Sequence, residues 1–384
     1  MDAQATVEIP RAFLNMPDPR RNNSSHRFVD VLTLALFAVI CGSNDWPTVV
    51  MYGRAKIDWL KTFLELPHGI PSHDTFGRIF AQIDPDAFES CFRTWMISLV
   101  DLSGGKLVAI DGKSLRRSFE HGWDKSGMAH MVSVFVQANR MVFAQEKTDG
   151  KGQELSAIDK LLGMLDLKGA IVSIDAIGTH KSVATKIIDA GADYILQVKD
   201  NQPTLAAKMK VAMDDAILDK FKDLQSDQFE QIDAGHGRIE NRKLWVCWDV
   251  KQMLGELAAD WPGLSALIAI ERTRESIGPK GVPRKSIERH YYISSLDRRT
   301  KAKSLAGYVR GHWSVENNLH WQLDVSFRED ERRMRKGHSA ENFSRMCRAA
   351  LNLIKNEKTV KGGIASRRKK CGWDNEYLLK VITA

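Results

Sequence analysis

Ala170-Ile-Val-Ser-Ile-Asp175 is a short apolar run closed by an aspartate, and Leu107-Val-Ala-Ile-Asp111 has the same form earlier in the chain. Continuous apolar runs of this length, rich in β-branched residues, read as strands buried on both faces. Each therefore delivers a carboxylate to the point where its strand leaves a sheet.

Working outward from these two strands, the texture of the chain changes at Ser103-Gly-Gly105, after which strands and helices alternate. Met131 to Gln137 and Met141 to Glu146 form a hairpin across Ala138-Asn-Arg140. Gln153 to Leu165 is amphipathic, with Leu155, Ile158, Leu161, Leu162 and Leu165 on one face. The strand ending at Asp175 is followed by a helix from Ser182 to Ala190, which Gly191 stops, and by a strand from Tyr194 to Val198. Three strands, then helix, strand, helix and strand is the order of a ribonuclease H-like fold. The fold class expected is α/β, a mixed sheet with flanking helices, preceded by a helical domain and interrupted by a partly β insertion.

The first hundred residues read as helical. An apolar helix runs from Val29 to Cys41, and a second from Trp46 to Leu66. Pro67-His-Gly-Ile-Pro71 turns the chain, and Ser72 caps a helix with Phe76, Ile79 and Phe80 on its apolar side. That helix would present His73, Thr75 and Arg78 to DNA, or pack as one member of a bundle. Between residues 201 and 287 the alternating pattern breaks into a helix, Leu205 to Phe221, and strand-like segments at Lys243 to Trp248 and Ala266 to Ile270; Tyr291 to Ser294 then resumes an extended run. Helical signals return at Lys303 to Val309, Ser314 to Val325 and Ala340 to Glu357. The expected domains are 1–102, 103–355 with the insertion at about 201–287, and a basic tail over 356–384 that contains Arg367-Arg-Lys-Lys370.

With a formal charge of +8 over 384 residues, the chain favours a polyanionic partner without requiring one. Its five cysteines are scattered, with no zinc spacing, as expected of reduced thiols. Phe28 to Cys41 is too short to span a bilayer, and the N-terminus lacks a basic leader, so a cytoplasmic, non-membrane protein is expected.

The third informative stretch is His312-Trp-Ser-Val-Glu316-Asn-Asn-Leu-His-Trp321, which sets a carboxylate among aromatics and amides. Asp111, Asp175 and Glu316 together are what a two-metal phosphoryl-transfer site needs: oxygen donors for Mg²⁺ or Mn²⁺, with water and phosphate completing the coordination. Any single strand-end aspartate can instead cap a turn. Asp324, Glu329 and Asp330 are rivals to Glu316, and Asp324 lies near the same helix face, two turns on. Lys113, Arg116 and Arg117 could hold phosphates or form a solvated basic loop. His236 and Arg238 lie beside glycines that allow close backbone approach.

Several motifs taken in order resemble one family. Asp111-Gly-Lys, Asp175-Ala-Ile-Gly-Thr-His-Lys181, Tyr194-Ile-Leu-Gln-Val-Lys-Asp-Asn-Gln202, Arg310-Gly-His-Trp-Ser-Val-Glu316 and Leu323-Asp-Val-Ser-Phe-Arg-Glu-Asp330 are similar to bacterial insertion-sequence transposases, closest to the group linked to the H-repeats of Rhs elements. Asp18-Pro-Arg20, Leu66 to Ser72 and Thr75-Phe76 resemble that group's N-terminal associated domain. The resemblance implies a DDE triad of Asp111, Asp175 and Glu316 with two Mg²⁺ ions, Mn²⁺ as a substitute, and double-stranded DNA as partner, with a homo-oligomer assembled on it. Lys199, Asn201 and Gln202 either close a turn or contact the DNA backbone, and the resemblance favours DNA. The chain departs from the superfamily's last-helix signature, carrying His312 where Arg is usual, Val309 for Tyr and Leu323 for Lys. Arg310 and His312 are the substitute candidates for phosphate contact. A DNA-binding remnant without transposition, or a nuclease of the same fold, are the competing readings.

Overall fold

The computed structural model describes residues 14–21, 24–99, 106–118, 128–148, 152–235, 238–277 and 282–383. In chain order these form α1 (Phe28–Ile40), α2 (Trp46–Ala55), α3 (Ile57–Leu60), α4 (His73–Gln82) and α5 (Pro85–Leu99), then β1 (Leu107–Ser114), β2 (His130–Val136) and β3 (Met141–Thr148). There follow α6 (Glu154–Gly163), β4 (Ile171–Ile174), α7 (Lys181–Asp189), β5 (Asp193–Val198), α8 (Pro203–Leu218), β6 (Ser226–Gly235) and β7 (Arg238–Cys247). The rest is α9 (Val250–Leu254), β8 (Ala266–Ile277), β9 (Pro283–Ser294), α10 (Ala302–Val315), α11 (Ser339–Asn356), α12 (Ile364–Trp373) and α13 (Asn375–Thr383). The strand order is β3-β2-β1-β4-β5-β9-β8-β7-β6. Pairings β1–β4 and β4–β5 are parallel, and the other pairings with a described register are antiparallel. This mixed sheet, with its leading three strands and alternating helices, is the expected ribonuclease H-like order.

By internal contacts the chain divides into two units. The first comprises Met1–Asp101, Gly112–Ala157 and Val315–Ala384; the second comprises Leu102–Asp111 and Ile158–Ser314. This cuts across the linear division into 1–102, 103–355 and 356–384, because the C-terminal helices group with the N-terminal ones.

In the first unit, α1 is apolar around its circumference and all of it except Val29 is buried, as a helix inside a bundle must be. Asp30, buried within it, accepts the Leu66 N–H at 2.9 Å. That bond explains a departure from the expected Trp46–Leu66 helix. The chain breaks at Lys56 and ends its helical run at Leu60, and Leu66 takes a left-handed φ of 41° before Pro67, which disfavours helix in its predecessor. Asp45 and Thr48 form a reciprocal capping box at α2, and Ser72 caps α4 as expected, accepting the Thr75 N–H. Trp46 stacks on Phe76 and packs against Phe80 and Phe343, which ties α2, α4 and α11 together.

Helix α11 is buried over nearly its whole length, although it carries Asn342, Arg345, Arg348 and Asn352. Each polar side chain there serves another segment. Asn342 donates to the Phe80 and Ile83 carbonyls, Arg345 pairs with Glu89, and Arg348 pairs with Glu329 at 2.9 Å. Asn352 accepts the Val142 N–H at 3.0 Å and donates to the Val142 carbonyl at 2.7 Å, so the edge strand β3 is capped by a side chain instead of left open.

Residues 364–383 form α12 and α13, and Arg367 and Arg368 are buried. Arg367 pairs with Glu357 at 2.6 Å, while Arg368 lies over the Phe327 ring at 3.9 Å and donates to the Val39 and Ser326 carbonyls. These arginines satisfy carbonyls at helix ends; they are not a solvated basic arm.

In the second unit the insertion is more β than expected. It includes β6, which the sequence reading missed, and its strands extend the parallel core through β9 to Ser294. The core joins Leu107, Ile171, Ile195, Leu244, Val246, Ile268 and Tyr292 to Leu305 and Val309 of α10. The two helical signals at Lys303–Val309 and Ser314–Val325 are one helical course, in which α10 passes into π-helical turns at Glu316–His320 and Gln322–Ser326. Among the described residues no helix is long and apolar enough to cross a membrane.

Candidate catalytic site

The register of β1 on β4 is Leu107↔Ile171 through Ile110↔Ile174. One step further, Asp111 within β1 and Asp175 just past the end of β4 come level on neighbouring parallel strands, which are spaced about 4.8 Å apart. Asp175 remains extended, at φ −67° and ψ 178°, so the alternation of faces carries through it. The face is identified by its partners: Leu107 and Ile171 pack with α10, and Ser173 Oγ lies 3.0 Å from His312 Nδ1. Asp111 and Asp175, in the same parity, project from the face that α10 covers. Both are partly buried.

Two glycines follow from close packing here. A Cβ on Gly112 would lie 2.4 Å from His130 Nε2, and one on Gly178 would lie 2.2 Å from Ile174 Cγ2. His130 itself is held between Ser114 Oγ at 2.9 Å and Glu154 at 3.1 Å. The glycine of Asp111-Gly-Lys thus admits a buried histidine, and that of Asp175-Ala-Ile-Gly admits the strand's own isoleucine.

The loop after Asp175 is braced by the motif that follows β5. Asn201 Nδ2 donates to the Ala176 carbonyl at 2.5 Å and the Thr179 carbonyl at 3.2 Å, and Gln202 Nε2 donates to the Thr179 carbonyl at 3.0 Å. Thr179 Oγ1 in turn donates to the Gln197 carbonyl at 2.6 Å. Asn201 and Gln202, expected at DNA, spend these amide donors on the loop that carries Asp175. Lys199 is exposed.

Glu316 belongs to the first unit, is exposed, and begins the first π-helical turn. Such turns widen the helix and occur often at functional sites. Its rivals are engaged elsewhere. Lys113 Nζ lies 2.7 Å from Asp324 and 3.6 Å from Asp330, and Arg116 lies 3.2 Å from Asp330. Burial pushes the Asp324 carboxyl up, against the pull of Lys113. Glu329 is also pushed up by burial, but Arg348 and Arg332 outweigh that and hold it below the usual range. Burial beside Lys113 and Arg348 brings His320 down to about 3, so it stays neutral.

Of the candidates for phosphate contact, Lys113 is buried against Asp324, and Arg116, though exposed, leans on Asp330. His312 is a packing residue bonded to Ser173, and burial brings it down to about 4, so it offers no cation at neutral pH. Arg310 is exposed and lies 3.2 Å from Asp233. On α4, His73 and Arg78 are exposed, whereas Thr75 is partly buried and its hydroxyl lies 3.0 Å from that of Ser72. His236 lies outside the described residues, and Arg238 pairs with Glu240 at 3.2 Å. Among the described residues no group of three or more His, Cys, Asp or Glu side chains is placed to hold a metal ion. The brace formed by Asn201, Gln202 and Thr179 escaped the sequence reading, although the juxtaposition of two polar motifs after β4 and β5 could have suggested it.

Comparison with known proteins supplies the wider context. Residues 102–353 match the family described as Transposase DDE domain, and residues 11–96 match the family described as DDE_Tnp_1-associated. A relative from Escherichia coli O157:H7 named "Putative transposase YncI" is 37% identical over 96% of this chain and 93% of its own. "H repeat-associated putative transposase YhhI" from Escherichia coli K12 is 36% identical over 96% of this chain and 95% of its own. A solved structure, the piggyBac transposase synaptic complex with hairpin DNA, overlaps with a TM-score of 0.45 and 12% identity, over 97% of this chain and 77% of that one.

Proposed function

The chain belongs to the Transposase DDE domain family and is a DDE-type transposase, and on that premise we propose the reaction it performs and the residues that carry it. It binds the ends of an insertion sequence and cuts and joins DNA there, with Asp111, Asp175 and Glu316 as the catalytic carboxylates. The observation that supports this reading is the parallel β1–β4 register, which pairs Ile110 with Ile174, the residues just before the two aspartates.

Water attacks the phosphorus at the element end, the bond to the 3′ oxygen breaks, and a free 3′-hydroxyl is left. That hydroxyl, losing its proton, attacks a target phosphodiester and displaces the target's own 3′ oxygen. Membership of the family implies a divalent metal in general. Two carboxylates fit Mg²⁺ with Mn²⁺ as a substitute, since Mg²⁺ takes one or two carboxylates and fills its shell with water and phosphate. When bound, a pair of ions would acidify the attacking water or hydroxyl and neutralise the leaving oxygen. Asp111 and Asp175 would hold the metal, with Glu316 as the third carboxylate of the triad. Gly112 and the Asn201–Gln202 brace keep the two strand ends in place. Double-stranded DNA is the partner, the active form is a homo-oligomer assembled on it, and the cytoplasm is the compartment.

Asp111→Asn and Asp175→Asn should bind end-sequence DNA as the wild type does and lose Mg²⁺-dependent cleavage, because an amide is a poor ligand for a hard cation. Glu316→Gln should lose cleavage in Mg²⁺ and retain a part of it in Mn²⁺. Asp324→Asn should retain measurable activity. Cleavage of end-bearing duplexes on a denaturing gel reads all four. Wild-type rates from either aspartate variant, or dependence on Asp324 with independence of Glu316, would sink the assignment.

A further inference from the structure

Strand parity carries one inference beyond the carboxylates, and it rests on the transposase reading above. The register runs from Asp175 across β5 to β9: Ile174 lies opposite Leu196, and Gln197 opposite Tyr292. Asp175 is thus level with Tyr292 and on the same face. Because β9 is antiparallel to β5, the residues before Tyr292 extend past the end of the sheet where Asp111 and Asp175 stand. Strands β6 to β9 continue in that direction as a ribbon whose register is unbroken to Arg238, Ser276 and Arg284.

The two faces of this ribbon differ in charge. On the face shared with Asp175 lie Arg242 and Arg272, then Arg274, then Arg238 and Arg284, against the carboxylates of Asp227, Asp233, Glu240 and Glu288. Arg310 of α10 meets this face at Asp233, which confirms the parity. The opposite face carries Lys243, Lys285 and Arg289, matched by Glu230, Glu275 and Glu271 in ion pairs at 3.4, 2.9 and 2.5 Å. It also carries Asp214 of α8, 2.6 Å from Arg289. One face is therefore in excess of positive charge and the other is balanced. Arg274 and Arg284 on the first face are exposed and make no ion pair among the described residues. At roughly 3.4 Å per residue, the arginine rows begin about 13 Å from the level of Asp175 and end about 27 Å from it.

We propose that the arginine-bearing face of the β6–β9 ribbon is a track for the phosphate backbone of duplex DNA leading up to Asp111 and Asp175. At 3.4 Å per base pair its reach corresponds to about eight base pairs flanking the reacting phosphate. Phosphate contacts of this kind set register and orientation and read no sequence.

The test compares two double variants with equal charge change, Arg274→Gln with Arg284→Gln and Lys243→Gln with Lys285→Gln, using a 30-base-pair duplex of arbitrary sequence over a salt series. All four positions are at the surface, and equal melting temperatures establish that both variants fold. The arginine variant should bind at least about tenfold more weakly near 0.1 M salt, with a log–log salt slope shallower by about 1.8, the value for two phosphate contacts. The lysine variant should stay within about twofold of wild type, as expected for groups that neutralise their own partners and touch no phosphate. Equal losses in both variants, no loss in the arginine variant, or a wild-type chain that does not bind the duplex would each overturn the track. Duplex binding that depends on Arg274 and Arg284 in a chain that never cleaves would leave the track standing and overturn the reaction instead.

Discussion

Gly178 shows how a motif letter can be dictated by packing next to a reactive group. The Cβ missing from this residue would sit 2.2 Å from Ile174 Cγ2 and 3.0 Å from Ile158 Cδ1, both inside the core beneath Asp175. Gly178→Ala should therefore destabilise the fold by about 1–3 kcal/mol, the usual cost of overpacking, and displace the loop that carries Asp175. A thermal melt alongside a cleavage assay checks both effects; an unchanged melt would mean the loop yields freely. Asn201 sits on the other side of the same loop, and its amide donors go to carbonyls there. The motif therefore holds polar residues for two distinct purposes, and only Asp175 is assigned to chemistry.

At the scale of elements, the C-terminal helices are fastened by one buried carboxylate. Glu357 follows α11, accepts from Arg367 of α12 at 2.6 Å and from Tyr377 Oη of α13 at 2.8 Å, and accepts also from Thr359. Burial pushes this carboxyl up, but the hydroxyls of Thr359 and Tyr377, the Thr359 N–H and Arg367 outweigh it and bring it down to about 2. A folded value below the unfolded one near 4.5 makes the stabilisation full above pH 4.5. It is lost progressively as pH falls toward 2, where the folded state also takes up the proton. Glu357→Gln should therefore be less stable than wild type at pH 7, with the gap narrowing between about pH 4.5 and 2. Denaturant melts at a series of pH values measure this, and a gap that is constant with pH would exclude Glu357 as its source.

Over the whole molecule, the chain passes between its two units within elements as well as between them. β1 contributes Leu107–Asp111 to one unit and Gly112–Ser114 to the other, and α10 passes the boundary at Ser314–Val315. Residues 356–384 belong to the first unit's core, where Arg367, Arg368, Cys371, Leu378 and Val381 are buried. Deleting residues 358–384 should therefore leave Glu357 without its arginine, expose an apolar face of α11 and abolish the cooperative melt. A truncated chain that melts at the wild-type temperature would show that α12 and α13 do not hold the first unit together.

The apolar runs into Asp111 and Asp175, the Ser72 cap and the order of strands and helices were legible because each depends on local periodicity and on short-range hydrogen bonding. The three carboxylates could be chosen on residue type and placement, and the ordered motifs supplied the family. What residue types could not convey was which polar groups were already in use. Lys113 and Arg116 look like phosphate ligands until Asp324 and Asp330 are brought beside them. Arg367 and Arg368 look like a basic tail until they meet Glu357 and the carbonyls of Val39 and Ser326. Strand β6 was missed because it is mostly polar and its two large apolar residues, Phe229 and Ile232, lie three apart, on opposite faces of the strand, so that no period of two shows. Sequence determines the period of each element and the chemistry that it offers. Only the tertiary structure decides which charges find partners, because a salt bridge depends on distance in space and its partner can lie hundreds of residues away.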